Sequence, residues 1–132
     1  MKYVPVTAIM HEPVFYADVE EYVTQIVELM KTEGIGSIIV LDKGIPKGII
    51  TERDIVKSCI MGKSNFISLK AKDIRSYPIV GITEEQSIIA AAKLMKEKCI
   101  KKLVVWNGKR EVIGIITQTD ITYNIDLIFQ TS

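Results

Sequence analysis

The sequence predicts an α+β fold made of two copies of one β-α-β-β-α unit, packed about a pseudo-two-fold axis. Three observations predict it. The segment Gly48-Ile49-Ile50-Thr51-Glu52-Arg53-Asp54-Ile55 returns as Gly114-Ile115-Ile116-Thr117-Gln118-Thr119-Asp120-Ile121. At an offset of 65, Ile9 matches Ile74, Pro13 matches Pro78, Glu20 matches Glu85, Leu29-Met30-Lys31 matches Leu94-Met95-Lys96, Ile35 matches Ile100 and Val40 matches Val105. One extra residue in the second hairpin moves the offset to 66. Finally, each copy shows the same succession of strand-like and helix-like patterns. The copies are read as domains at 6–61 and 71–126, with 62–70 as a linker opening on the turn formers Gly62-Lys63-Ser64-Asn65. A half of ~55 residues buries too little surface to stand alone. The two are therefore expected to pack sheet to sheet, with helices covering the outer faces.

Each element has a local reason. Val14-Phe15-Tyr16 and Ile79-Val80-Gly81-Ile82 follow a proline and read as short strands. Asp18-Val19-Glu20-Glu21 and Thr83-Glu84-Glu85-Gln86 fit capping boxes, which predicts helix starts there. Tyr22, Val23, Ile26, Val27 and Met30, then Ile88, Ile89, Ala92 and Met95, recur at helical spacing. Gly34 is placed to end the first helix as a left-handed cap. Ser37–Leu41 and Lys102–Trp106 are mostly β-branched or apolar and read as buried strands. Asp42-Lys43-Gly44 and Asn107-Gly108-Lys109 read as hairpin turns. The next strands, Lys47–Thr51 and Val112–Thr117, lead into helices predicted over Glu52–Met61 and Gln118–Ile128.

Composition narrows the function classes. The chain is 48% apolar and 25% charged, the balance of a globular protein. Seventeen basic and 16 acidic residues give a net charge of +1, which offers nothing for nucleic acid or a membrane surface to recognise by bulk charge. The cluster Lys93, Lys96, Lys98, Lys101 and Lys102 is the one feature favouring nucleic acid. No apolar run approaches a membrane span, and Met1-Lys2-Tyr3-Val4-Pro5 lacks a signal peptide's apolar stretch, so a cytoplasmic location is expected. Cys59 and Cys99 show no metal-ligand spacing and are expected to be buried small hydrophobes. His11 is the only histidine, and no nucleophile–base set or phosphate loop surrounds it, so neither an enzyme nor a metal site is expected.

The polar residues of the repeated motif admit two readings. Thr51 and Thr117 stand where an N-cap belongs, and Asp54 and Asp120 three residues on could close a capping box. Against that, the other two predicted helices use Glu or Gln at this position. The shorter aspartate is expected to reach the backbone less easily and to suit a ribose diol, whose two hydroxyls it can accept. A helix N-terminus after a strand also favours phosphate.

The tandem β-α-β-β-α unit with Gly-Ile-Ile-Thr-x-x-Asp at its last strand-to-helix turn resembles the CBS (cystathionine-beta-synthase) domain, two of which form a Bateman module. The resemblance covers about residues 4–128. It implies binding of adenosine derivatives (AMP, ADP, ATP, sometimes S-adenosylmethionine or NAD) in clefts between the two domains, with aspartate on the ribose hydroxyls. It implies one cleft of Thr117 and Asp120 with Thr7, Pro13, Val14 and Ile35-Gly36-Ser37. It implies a second of Thr51 and Asp54 with Lys72, Pro78, Ile79 and Ile100-Lys101. Arg53, Lys101 and Lys102 are the candidates for phosphate; a solvated face is their alternative. His11 is a further candidate, and Tyr16, Tyr77 and Trp106 are candidates for stacking or for packing in a core or dimer face. The implied protein is a non-enzymatic sensor without cofactor, a homodimer acting on a separate effector protein. The alternative is a ligand-independent dimerisation module.

Overall fold

The strands form two sheets of three, one in each of two units. In this computed structural model residues 2–129 are described. One unit runs from Phe15 to Ile79 and is called here the Asp54 unit; the other joins the residues up to Val14 with those from Val80 on and is called the Asp120 unit. The units thus cut the chain differently from the sequence repeats, because the segment leading into each repeat packs on the other repeat's elements.

The Asp54 unit contains β1 (Tyr16–Asp18), α1 (Val23–Glu33), β2 (Ser37–Asp42), β3 (Ile45–Thr51), α2 (Glu52–Gly62), a 3-10 helix (Lys63–Ser68) and α3 (Ala71–Ile74). Its sheet has the order β1-β2-β3, with β1 parallel and β3 antiparallel to β2. Ser37 pairs with Thr51 and Ile38 with Ile50. The Asp120 unit contains β4 (Gly81–Thr83), α4 (Ile88–Lys98), β5 (Lys102–Trp106), β6 (Val112–Thr117), α5 (Gln118–Tyr123) and α6 (Asp126–Phe129), preceded by a 3-10 turn at Val6–Ala8. Its sheet repeats the pattern, with Lys102 opposite Thr117 and Leu103 opposite Ile116. Each unit has its own core. Ile26, Ile38, Val40 and Ile50 fill one, and Ile88, Leu103, Val105 and Ile116 the other, all 1% exposed or less. Burying each such side chain is worth about 1.5–3 kcal/mol, so the apolar strands, rather than helix propensity, hold each unit together.

Several sequence expectations are corrected. Helices α1 and α4 begin at Val23 and Ile88, not after Asp18 and Thr83. The Asp18 box does form in part, Asp18 N–H donating to Glu21 Oε1 at 3.1 Å, but it closes a turn. The helix start is set by tertiary pairing. Leu69 C=O accepts from Val23 N–H and Glu21 C=O from Ala71 N–H; in the other unit Val4 C=O accepts from Ile88 N–H and Gln86 C=O from Val6 N–H. These contacts hold Tyr22 and Ser87 extended, so Ser87 becomes the N-cap and accepts from Ala90 N–H. Strands β1 and β4 start two residues later than predicted, because the segments ahead of them are held at the bridges His11–Ile115 and Ser76–Ile49. The last predicted helix breaks into α5 and α6. Asn124 donates its side-chain N–H to Asp120 C=O, the acceptor its own backbone N–H would have used, and that N–H turns to Ile121 C=O. Gly34 does end α1 in the left-handed region (φ 63°), and Cys99 takes the equivalent place after α4 (φ 55°). Cys99 is therefore exposed at a helix end, and Cys59 is exposed on α2; both are free thiols rather than core residues. Among the described residues no helix is long and apolar enough to cross a membrane.

Candidate functional site

Both motif aspartates sit at a strand-to-helix junction with their two oxygens divided between two tasks. Asp54 Oδ2 accepts from Thr51 N–H at 2.9 Å and from Thr51 Oγ1 at 3.1 Å. Asp120 Oδ2 accepts from Thr117 N–H at 2.8 Å, and Thr117 Oγ1 accepts from Asp120 N–H at 3.1 Å. The capping box is thus closed in both units, and the expectation that aspartate reaches the backbone poorly is corrected. The extended backbone of Thr117 (φ −118°, ψ 162°) turns its N–H toward the first helical turn and shortens the span. The other oxygen carries the second task. Asp54 Oδ1 accepts from Ser76 Oγ at 3.1 Å, and Asp120 Oδ1 lies 2.5 Å from His11 Nε2.

His11 and Ser76 are 65 residues apart and occupy the same place in the two leading segments. His11 exchanges backbone hydrogen bonds with Ile115 (2.7 and 3.2 Å), and Ser76 with Ile49 (2.9 and 3.1 Å). The crossing is close because Gly114 and Gly48 lie beneath it: a Cβ at Gly114 would overlap Met10, and one at Gly48 would lie 2.8 Å from Arg75 Cδ. Neither Ser76 nor Arg75 stood out in the sequence by itself. The offset of 65 was the available signal, since it aligns Met10-His11 with Arg75-Ser76 just ahead of the matched prolines.

The structure distributes the remaining candidates as follows. Thr7 (exposed), Pro13 (exposed) and Val14 (half-buried) lie on the leading segment that carries His11. Ile35, Gly36 and Ser37 belong to the Asp54 unit, where Gly36 C=O accepts the first N–H of α2, from Glu52, at 3.2 Å. Ile100, Lys101 and Lys102 belong to the Asp120 unit, where Lys101 C=O accepts from Gln118 N–H at 2.9 Å. Lys101 and Lys102 line an open hollow of about 390 Å³ with Thr117, Thr119 and Tyr123. A second hollow, about 440 Å³, has Asp54, Ser76, Lys57, Arg75 and Asp73 in its wall. Arg53 is exposed in the first turn of α2. Pro78 and Ile79 follow Ser76, the first exposed and the second half-buried.

Lys72 already has a partner. Its ammonium lies 2.8 Å from Glu20 Oε1, while Lys70 lies 2.9 Å from Glu20 Oε2. The hydrogen bonds from Lys72 and Lys70 hold the Glu20 carboxyl below its ordinary value, and Glu20 raises Lys70 in turn. Tyr77 is 57% exposed, with Arg75 5.4 Å and Lys47 5.8 Å from its ring centre. Arg75 also donates to Lys47 C=O. Tyr16 is exposed and Trp106 half-buried. Among the described residues no group of three His, Cys, Asp or Glu side chains could hold a metal ion.

Comparison with known proteins agrees with this duplicated arrangement. The family described as CBS domain matches twice, over residues 6–60 and 71–126. An uncharacterized protein of Methanopyrus kandleri is 34% identical over 122 residues, which is 92% of this chain and 62% of that protein. The chain therefore spans under two thirds of that relative's length. Among solved structures, the hexameric CBS-CP12 protein from bloom-forming cyanobacteria superimposes with a TM-score of 0.86 at 25% identity, over 99% of this chain and 77% of that one. The CBS domain pair of protein MJ0100, solved in complex with 5′-methylthioadenosine and S-adenosyl-L-methionine, gives 0.81 at 22% identity, over 94% and 97%. That likeness is one of fold.

Proposed function

Because the chain belongs to the CBS domain family and carries that domain twice, we propose that it is a regulatory ligand-binding module without catalytic activity. Its ligand is an adenosine derivative, of the AMP, ADP and ATP class or an adenosyl thioether or sulfonium, held through the ribose by Asp54 and Asp120. The observation that carries this reading is the division of labour within each aspartate. The cap uses Oδ2, while Oδ1 bonds to a side chain that a ribose hydroxyl can replace without disturbing the helix start. The complex of protein MJ0100 adds weight, since that pair is in complex with two adenosyl ligands. Positive charge for a phosphate is available from Arg53 on one side and from Lys101 and Lys102 on the other.

A cytoplasmic homodimer reading out through a partner protein fits the same picture. Val56, Ile60 and Met61 on α2 are 60%, 70% and 69% exposed, and such apolar side chains favour self-association. The closed caps favour a second reading, a dimerisation module in which the aspartates are purely structural. Ligand titration separates the two. Thermal unfolding of the parent, Asp54→Asn and Asp120→Asn is followed with AMP, ADP, ATP, S-adenosylmethionine and 5′-methylthioadenosine. A ligand at 100 times its Kd stabilises the folded state by about 2.7 kcal/mol, and each substitution is expected to lose most of that increment at its own half-site. The absence of any shift with all five overturns the ligand reading. A regulatory role further requires the ligand to favour one of two states.

A further inference from the structure

We propose that His11 is the positioning residue that sets the Asp120 half-site apart: it holds Asp120 Oδ1 in a contact that a proton tightens, so ligand capture there depends on pH while capture at Asp54 does not. This rests on the adenosine reading above and deepens it. The backbone around the two aspartates is the same, and the side chain presented to Oδ1 is what differs. Ser76 offers a neutral hydroxyl at every pH. His11 offers an imidazole, the side chain whose charge ordinarily changes between about pH 5 and 8. Nε2 lies 2.5 Å from a carboxylate that is itself only 11% exposed, while the ring is 67% exposed and open to exchange protons with water. The charged groups on the elements packed around the ring are few. Asp120 is the one charged residue of α5, β6 has none, β5 brings Lys102 opposite Thr117 with Lys101 just before it, and the leading segment carries Glu12 beside His11 and Lys2 near its start. The charge within hydrogen-bond reach of Nε2 is the Asp120 carboxylate.

A ribose hydroxyl that takes Oδ1 must displace Nε2, and displacing a cation from a carboxylate is harder than displacing a neutral ring. Affinity at Asp120 thus falls as the solution is acidified. By linkage, a bound ligand drives the proton off His11.

Because His11 is the only histidine in the chain, its imidazole C–H resonance reports on this contact without ambiguity. Without ligand, Asp120→Asn is expected to move the His11 imidazole C–H resonance, because the ring loses the carboxylate 2.5 Å from Nε2. An unmoved resonance overturns the contact. With 5′-methylthioadenosine, which has no phosphate of its own, calorimetric Kd at the Asp120 half-site is expected to be about two- to five-fold weaker near pH 5.5 than near pH 8. His11→Ser abolishes that dependence, and Ser76→His creates it at Asp54. A parent and a His11→Ser variant with the same pH profile overturn the proposal. If 5′-methylthioadenosine binds at no pH, that counts against the adenosine reading, and the ligand-free spectra still decide the His11 contact.

Discussion

Asp54 and Asp120 close the same cap with the same oxygen, yet serine holds one and histidine the other. The units differ in the same manner elsewhere. Helix α2 runs unbroken for 11 residues, while α5 stops after six. At the matched positions Ser58 bonds back to Ile55 C=O inside the helix, whereas Asn124 reaches Asp120 C=O and ends it. Gly34 ends α1 where Cys99 ends α4. The difference teaches where a duplicated fold is constrained. Positions fixed by backbone pairing and by core packing keep their apolar character, and the polar side chains at the aspartates and helix ends differ.

The strongest way to break this comparison is in the cores. Ile50 and Ile116 are matched, both fully buried, and both sit in the last strand of their sheet. Ile50→Ala and Ile116→Ala should each cost about 2–5 kcal/mol in denaturant unfolding. Similar losses support equivalent cores. A difference of more than about 2 kcal/mol would show that one unit collapses around the cavity and the other does not.

A sharper test lies at the crossings. Gly48 and Gly114 both underlie a leading segment, but what covers them differs. A methyl at Gly48 meets only the Arg75 side chain, at 2.8 to 3.2 Å. A methyl at Gly114 meets Met10 and also the backbone oxygen of His11, at 3.2 Å. Gly48 also has φ 157°, a backbone that L side chains rarely adopt. Gly48→Ala should therefore destabilise through its backbone and Gly114→Ala through overpacking, the latter by about 1–3 kcal/mol. Only Gly114→Ala should also disturb the His11 resonance. A Gly114→Ala variant with the parent melting point would mean that the crossing at Ile115 is loose.

These matched pairs also mark how far the sequence could be read. The repeat, both sheets, both hairpins and the left-handed end of α1 were legible because each depends on residues near in sequence. The starts of α1 and α4 were not. Asp18 and Thr83 have sound local capping chemistry, and pairing with Leu69 and Val4 overrides it. The break at Asn124 was missed because apolar spacing continues through it to Ile128. At the candidate site, Thr51, Asp54, Thr117 and Asp120 were visible as a motif, and the capping box was one of its two readings. Ser76 was not visible and His11 only as a phosphate candidate, because only the crossing of the leading segments brings them within reach of Oδ1.

The smallest expected effect concerns charge. Glu20 and Glu85 are matched in sequence, yet Glu20 meets Lys70 and Lys72 while Glu85 accepts from Thr83 Oγ1 at 2.6 Å. Both carboxyls are held below the ordinary 4.5, Glu20 chiefly by the two lysines and Glu85 chiefly by the threonine hydroxyl. A lowered carboxyl stabilises the folded state above its ordinary value, and this contribution disappears as pH falls below about 4.5 through the lowered value. Acid should therefore weaken both contacts. Lys70 works in the opposite sense: its raised value gives a contribution present below 10.5 and lost as the pH climbs through the raised value. Salt separates the two sites. An exposed ion pair is screened, and a hydroxyl-to-carboxylate bond is screened much less. Glu20→Gln should lower the denaturation midpoint slightly at pH 7 in low salt and leave it unchanged in 1 M salt, whereas Thr83→Val should have the same small effect in both. A Glu20→Gln effect that persists in 1 M salt would mean that Glu20 holds the Lys70 chain against Tyr22, whose ring centre lies 5.6 Å from the Lys70 ammonium, rather than acting by charge.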